Sequence, residues 1–171
     1  MPTADVDVEA ILAALDEHRV TYLVIGGFAA ELHDVAIPPT RDVDITPERT
    51  DDNLDRLASA LRELDARFRV VDGPPRGVEI PGGITTKWLR EMVTITLVTS
   101  AGPFDISMVP DGTDGYEDLV VGSRLIRYGN HDVRVASLED VIRSKEAVGR
   151  PKDVLVIPAL RAHLRRSRAG Q

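Results

Sequence analysis

Two aspartates stand two residues apart in TRDVDI, residues 40–45. On an extended strand side chains alternate, so Asp42 and Asp44 point to one face while Val43 and Ile45 point to the other. Like charges so placed repel, and burying them unpaired is costly. A strand that holds a divalent cation needs this spacing. A third carboxylate, Asp105, lies in GPFDISMVP, whose apolar alternation also reads as a strand. If the two strands are neighbours in one sheet, the three carboxylates converge. They could then hold two Mg2+ ions about 3.5–4 Å apart, the arrangement for in-line phosphoryl or nucleotidyl displacement. Upstream, Gly26-Gly27 closes the apolar run TYLVI. Glycine at a strand-to-helix turn lets the backbone approach a phosphate, and the helix start offers free N–H groups. Singly, each feature has an ordinary reading: an aspartate faces water or caps a helix, and Gly-Gly makes a turn. Jointly they describe a site for a triphosphate. Thr40, two residues before Asp42, shares its strand face. A phosphate there would add about two negative charges beside the site; the plain alternative is a β-favouring threonine at a strand start.

These residues need a frame. Val8, Ile11, Leu12 and Leu15 recur at helical spacing and predict an amphipathic helix over residues 5–19. TYLVIGG predicts a buried strand entering a turn, FAAELH a short helix opened by it, and HDVAIPP a loop before the strand RDVDIT. Thr50 or Asp51 caps a helix to about residue 66, with Leu54, Leu57, Leu61 and Leu64 on one side. Within residues 72–92, DGPPRGVEIPGG reads as a mobile loop. VTITLVTS and FDISMVP predict one hairpin, and SRLIRY and HDVRVAS a second around Gly129-Asn130. SLEDVIRSKEAV starts a helix with Ser137 as N-cap and Asp140 at the third helical position. Gly149-Arg150-Pro151 stops it, and a last helix runs from Pro151 to about residue 166. The expected fold class is α/β (α+β): a mixed β-sheet core over residues 1–136, flanked by helices. A C-terminal helical segment, residues 137–171, completes the site within one compact domain.

The chain of 171 residues is 43% hydrophobic, enough for a core. It has no cysteine, which removes disulfides and thiolate metal sites. The start, MPTADVDVEA, does not resemble a signal peptide, and no apolar run approaches the roughly 18 residues of a membrane span. A soluble, cytoplasmic and monomeric protein is expected. The net charge is −7, yet residues 141–171 carry eight basic and two acidic side chains. That tail is either a surface for a phosphate backbone or a solvated helix end whose arginines complement the helix dipole. There is no GxxxxGK run, no HExxH among His18, His33, His131 and His163, and no GxSxG elbow.

GGFAA followed by DVD, each after a hydrophobic run, resembles the nucleotidyltransferase signature of the DNA polymerase β superfamily. That signature is a Gly-Gly/Ser turn, then Asp-x-Asp, then a third Asp on a later strand. SLEDVIRSKEAVGRPKD further resembles the tail motif of AbiEii and MenT-type toxin nucleotidyltransferases, found in bacterial toxin–antitoxin and phage-defence pairs. The likeness runs from about Tyr22 to Leu160. It implies a nucleotidyltransferase fold and a Mg2+-dependent enzyme, with Asp42, Asp44 and Asp105 at the metals, Asp105 as ligand or as base. Gly26 and Gly27 would cradle phosphates, and Lys145 would steady the triphosphate. Asp153 would orient Lys145 or help hold substrate. Arg150 and Lys152 either contact phosphates or are surface charges. The implied reaction transfers a nucleotide, CMP from CTP favoured, to the 3′ end of tRNA, blocking aminoacylation and translation. The implied partners are tRNA and a cognate antitoxin; a partner kinase that silences the enzyme at Thr40 is a separate expectation, drawn from that residue's place beside Asp42. Two alternatives stand beside it: a small-molecule, aminoglycoside-type nucleotidyltransferase, and a catalytically idle homologue that binds nucleotide or a partner. His33-Asp34 stands where many members have His-Gly, and fourteen residues separate Gly27 from Asp42.

Overall fold

The computed structural model describes residues 5–170. Helix α1 (Val8–Glu17) is opened by Asp7, whose carboxylate accepts the Ala10 N–H at 3.0 Å. Its periodic residues Ile11, Leu12 and Leu15 are fully buried. Strand β1 (Tyr22–Ile25) runs straight into α2 (Gly26–Leu32), which begins on the glycine pair itself rather than after it. Strand β2 (Val43–Pro47) follows, then α3 (Asp51–Glu63), capped by the Thr50 hydroxyl, which accepts the Asn53 N–H at 3.4 Å. The predicted strand from Arg41 is shorter than expected. Thr40 donates its hydroxyl to the Asp42 carboxylate at 2.8 Å, bending the chain, and the ladder starts at Val43.

The segment expected as a mobile loop is tied down. Strand β3 (Arg67–Phe68) precedes it, Val78 exchanges both backbone hydrogen bonds with Phe68 at 2.9 Å, and Ile80 and Ile84 are buried. Helix α4 (Thr86–Glu91) then starts at its Thr85 cap. The two hairpins form as predicted: β4 (Thr94–Thr99) with β5 (Gly102–Ser107), and β6 (Arg124–Tyr128) with β7 (His131–Val135). An unforeseen helix, α5 (Tyr116–Gly122), lies between them. Helix α6 (Leu138–Val148) is capped by Ser137, whose hydroxyl accepts the Asp140 N–H at 3.1 Å and donates to its carboxylate at 2.8 Å. Gly149, at φ +65°, ends it in the left-handed conformation that glycine tolerates best. Helix α7 (Pro151–Ala169) turns back against α6 and contains Pro158.

The strands make one mixed sheet in the order β3-β4-β5-β2-β1-β7-β6. β2 is antiparallel to β1 but parallel to β5, and β1 is parallel to β7. Strand alternation then sorts the central strands. Val43, Ile45, Ile95, Leu97, Phe104 and Ile106 point into the core with almost no exposure. The residues between them, Asp44, Thr96 and Asp105, point to the opposite face. Leu54, Leu57 and Leu61 of α3 belong to the same apolar cluster as those core residues. β1 is apolar on both faces, and α2 packs on it and against α6. Among the described residues no helix is long and apolar enough to cross a membrane.

Candidate active site

The pairing of β2 with β5 sets Asp44 directly opposite Asp105. Asp42 sits one residue before the ladder. One carboxylate oxygen from each of the three lies within 4.8 Å of the other two. Burial, then the charges of Asp42 and Asp105, push the Asp44 carboxyl up to about 7, against the opposing pull of Lys145 and Lys152. Burial likewise raises Asp105; Arg69 counters it, and Asp42 adds to the rise. Such a set of crowded, partly desolvated oxygens is short of positive charge. Its all-oxygen donors suit a hard divalent cation such as Mg2+. Asp42, Asp44 and Asp105 would hold it.

Arg69 is the site residue that sequence reasoning missed. Its Nη2 donates to both Asp105 oxygens, at 2.9 and 2.8 Å, and stands 4.0 Å from Asp42 Oδ2. It follows a two-residue strand, and the only hint in the sequence is the alternation in RFRV.

Gly26 has φ +66°, and a Cβ there would come within 2.6 Å of Asp44 Oδ2. Only glycine permits both the turn and the approach. A Cβ on Gly27 would lie 3.2 Å from the Thr40 hydroxyl. The first turn of α2 has no side-chain cap, and Gly26 and Gly27 line the same cavity as the aspartates. Thr40 itself is half-buried in the coil before β2, with its N–H donated to the Glu31 carboxylate.

The opposite wall comes from α6 and α7. Asp153 is only 1% exposed. One of its oxygens accepts Lys145 Nζ at 2.9 Å and the other accepts Arg150 Nε at 2.7 Å. Burial alone would raise this carboxyl; the hydrogen bonds from Arg150 and Lys145 outweigh it and hold the group below its usual range. With both oxygens engaged, Asp153 orients Lys145 and Arg150. Every residue singled out from the sequence (Gly26, Gly27, Thr40, Asp42, Asp44, Asp105, Lys145, Arg150, Lys152 and Asp153) lines one cavity of about 660 Å³.

No family model and no curated protein matches this chain. Solved structures do. The lincosamide antibiotic adenylyltransferase LnuA, bound to lincomycin, is 15% identical over 93% of this chain and 99% of its own, with a TM-score of 0.61. The antibiotic-resistance factor ANT(2″)-Ia, crystallised with adenylyl-2″-tobramycin, is 16% identical over 92% of this chain and 87% of its own, with a TM-score of 0.56. A Thermotoga maritima protein solved as a candidate nucleotidyltransferase is 15% identical over 88% of each chain, with a TM-score of 0.52. At these identities the likeness is one of fold: the mixed sheet and helices described above are the nucleotidyltransferase fold.

Proposed function

We propose that this protein is a metal-dependent nucleotidyltransferase of the AbiEii/MenT toxin type, which transfers a nucleotide, CMP from CTP favoured, to the 3′ end of tRNA. The observation that carries the reading is the single cavity in which the aspartate triad faces the Lys145–Asp153–Arg150 cluster of SKEAVGRPKD. A bound Mg2+ pair would neutralise triphosphate charge and make the attacking hydroxyl more acidic. The chain's own groups do the rest. The first turn of α2 and Lys145 bind the triphosphate, with Arg150 and Lys152 beside them. The acceptor oxygen bonds to the α-phosphorus as the bond to pyrophosphate breaks, and its proton passes to the Asp105 carboxylate. Modification of the tRNA end would block aminoacylation and stop translation.

The same reading places the protein in the cytoplasm, as a monomer paired with a cognate antitoxin. Thr40 offers the antitoxin a point of control. Its Oγ1 is 2.8 Å from Asp42 Oδ1, so a phosphate added there by a partner kinase sets about two negative charges against a carboxylate the reaction needs. Thr40→Glu is expected to lose most transfer, and full activity in that variant would remove the idea.

A second reading is a small-molecule acceptor. Its support is the set of fold neighbours solved with lincomycin and with adenylyl-2″-tobramycin. One experiment separates the two: Mg2+, each labelled NTP in turn, and either total tRNA, tobramycin or lincomycin, with Asp42→Ala as control. Label on tRNA from CTP, absent in the control, is the expected result. Label on a drug and none on tRNA would replace the main reading. No pyrophosphate release with any acceptor would leave a catalytically idle nucleotide-binding homologue.

A further inference from the structure

The carboxylates Asp44 and Asp105 belong to a row that crosses four strands and ends just beyond β3. Ile25 on β1 is paired with Asp44 on β2, Asp44 with Asp105 on β5, and Asp105 with Thr96 on β4. The row ends at Arg69, whose backbone N–H donates to the Thr96 carbonyl at 3.0 Å. Strands lie about 4.8 Å apart, so each step along the row is a fixed displacement.

The two ends of this row differ. Gly26 lies so close to Asp44 that a Cβ there would come within 2.6 Å of its Oδ2, so the glycine turn sits at that end. Past Asp105 the character changes to Thr96 and Arg69, with Thr94 and Ser107 paired in the next row along. Thr94 and Thr96 are exposed, and both line the cavity with Ser107. Among the described residues, none of these three hydroxyls is hydrogen-bonded to another protein group. Arg69 is 34% exposed and commits only Nη2 to Asp105, while its Nε and Nη1 donate to no described residue. In-line displacement sets the attacking oxygen and the leaving pyrophosphate on opposite sides of the α-phosphorus. With the triphosphate at the Asp44 end, the acceptor comes over the Asp105 end.

The geometry points to Arg69, Thr96, Thr94 and Ser107 as the acceptor subsite, suited to the ribose–phosphate end of a single-stranded RNA. This rests on the nucleotidyl-transfer reading above. The Nε–H and Nη1–H groups of Arg69 stay free to donate singly to phosphate oxygens, whereas an ammonium finds no acceptor on a guanidinium. Hydroxyls that both donate and accept match the 2′- and 3′-hydroxyls of ribose. The residues therefore favour an anionic, sugar-bearing acceptor over an aminoglycoside.

The test is equilibrium binding, read apart from catalysis. A fluorescent single-stranded RNA hexamer with free 3′-hydroxyl is titrated into the protein with Mg2+ and a non-hydrolysable CTP analogue. Arg69→Gln is expected to weaken RNA binding about ten-fold or more and Thr96→Val about three-fold, as loss of charge-assisted and neutral hydrogen bonds dictates. The loss of RNA affinity should exceed any change in affinity for the CTP analogue alone, which Arg69 touches only through Asp105. Arg69→Lys should recover only part of the loss, because the charge returns without the planar set of donors that reaches Asp105 and RNA together. An RNA affinity within two-fold of wild type in both Arg69→Gln and Thr96→Val overturns the subsite, as does tighter binding of tobramycin than of RNA by the wild type. Transfer assays separate the two claims. Label on tRNA with an unchanged KM in Arg69→Gln sinks the subsite and leaves the reaction standing. RNA binding that depends on Arg69, with no label on any RNA, sinks the reaction and leaves the subsite.

Discussion

Asp44 and Asp153 are the same residue type on opposite walls of one cavity, and they have been given opposite surroundings. Asp44 is desolvated beside two other carboxylates and is pushed up to about 7. Asp153 is more deeply buried, yet its two oxygens each meet a cation, and its carboxyl is held below the usual range. The Asp153 cluster is internally satisfied and stays charged with nothing bound. The Asp44 cluster is short of positive charge, and Arg69 supplies only part of it. The difference teaches that Asp153 is scaffold for the cations of its own wall, whereas the Asp44 wall has the donors for a cation.

The comparison breaks most severely at Asp44. Asp44→Ala should lower nucleotide transfer by about a thousand-fold or more, since it removes the central ligand of the charge-stabilising cluster. Pyrophosphate release measures it, with circular dichroism showing a native fold. Asp153→Ala should instead act first on stability. It strips the partner from Lys145, which is 14% exposed, and should cost about 3 kcal/mol in urea unfolding. Activity should then fall in proportion to lost Lys145 positioning.

Gly26→Ala comes next. The added methyl meets Asp44 Oδ2 and forces a positive φ on a residue with a Cβ, a loss of about 1–3 kcal/mol, with a drop in nucleotide affinity visible by titration. The subtlest contrast is pH dependence. A raised Asp44 carboxyl means the folded state holds its proton more tightly than the unfolded chain. The stability it confers is complete below about 3.8 and is lost as pH climbs towards 7. Asp153 works the other way: its stabilisation is present above its ordinary value and fades only in more acid solution. Metal-free thermal midpoints should therefore fall from pH 5 to pH 8. Asp44→Asn or added Mg2+ should flatten that decline, and Asp153→Asn should leave its shape alone.

Much of this was legible in the sequence because it is written in local periods. Alternation in VTITLVTS and FDISMVP marked both strands of the β4–β5 hairpin and put Asp105 on the face away from Phe104 and Ile106. The spacing of Asp42 and Asp44 announced the cluster, although a turn closed by the Thr40 hydroxyl left Asp42 just outside the ladder. What escaped was short or non-local. β3 has two residues, too few to show a period, and its place depends on β4 far along the chain. α4 spans six residues and buries only Leu89. Arg69 looks like any charge beside Phe68 until the sheet lays it next to Thr96 and within reach of Asp105. The SKEAVGRPKD stretch lay between these extremes. Its helix–turn–helix was readable from Ser137 and Gly149, whereas the closure of Lys145 and Arg150 onto Asp153 came only with the packing of α7.

The parallel pairing of β2 with β5 has a consequence for synthesis. An antiparallel hairpin can form as soon as its second strand leaves the ribosome. β2 must wait for β5 while α3, β3, α4 and β4 are made in between. Until then Asp44 and Asp105 are strangers, and the cationic wall of α6 and α7 is later still. A nascent or truncated chain thus carries fragments of the cavity and none of its chemistry. The cell that makes this protein meets the assembled cavity only once α7 has left the ribosome, and a partner that recognises finished packing has that same moment in which to act.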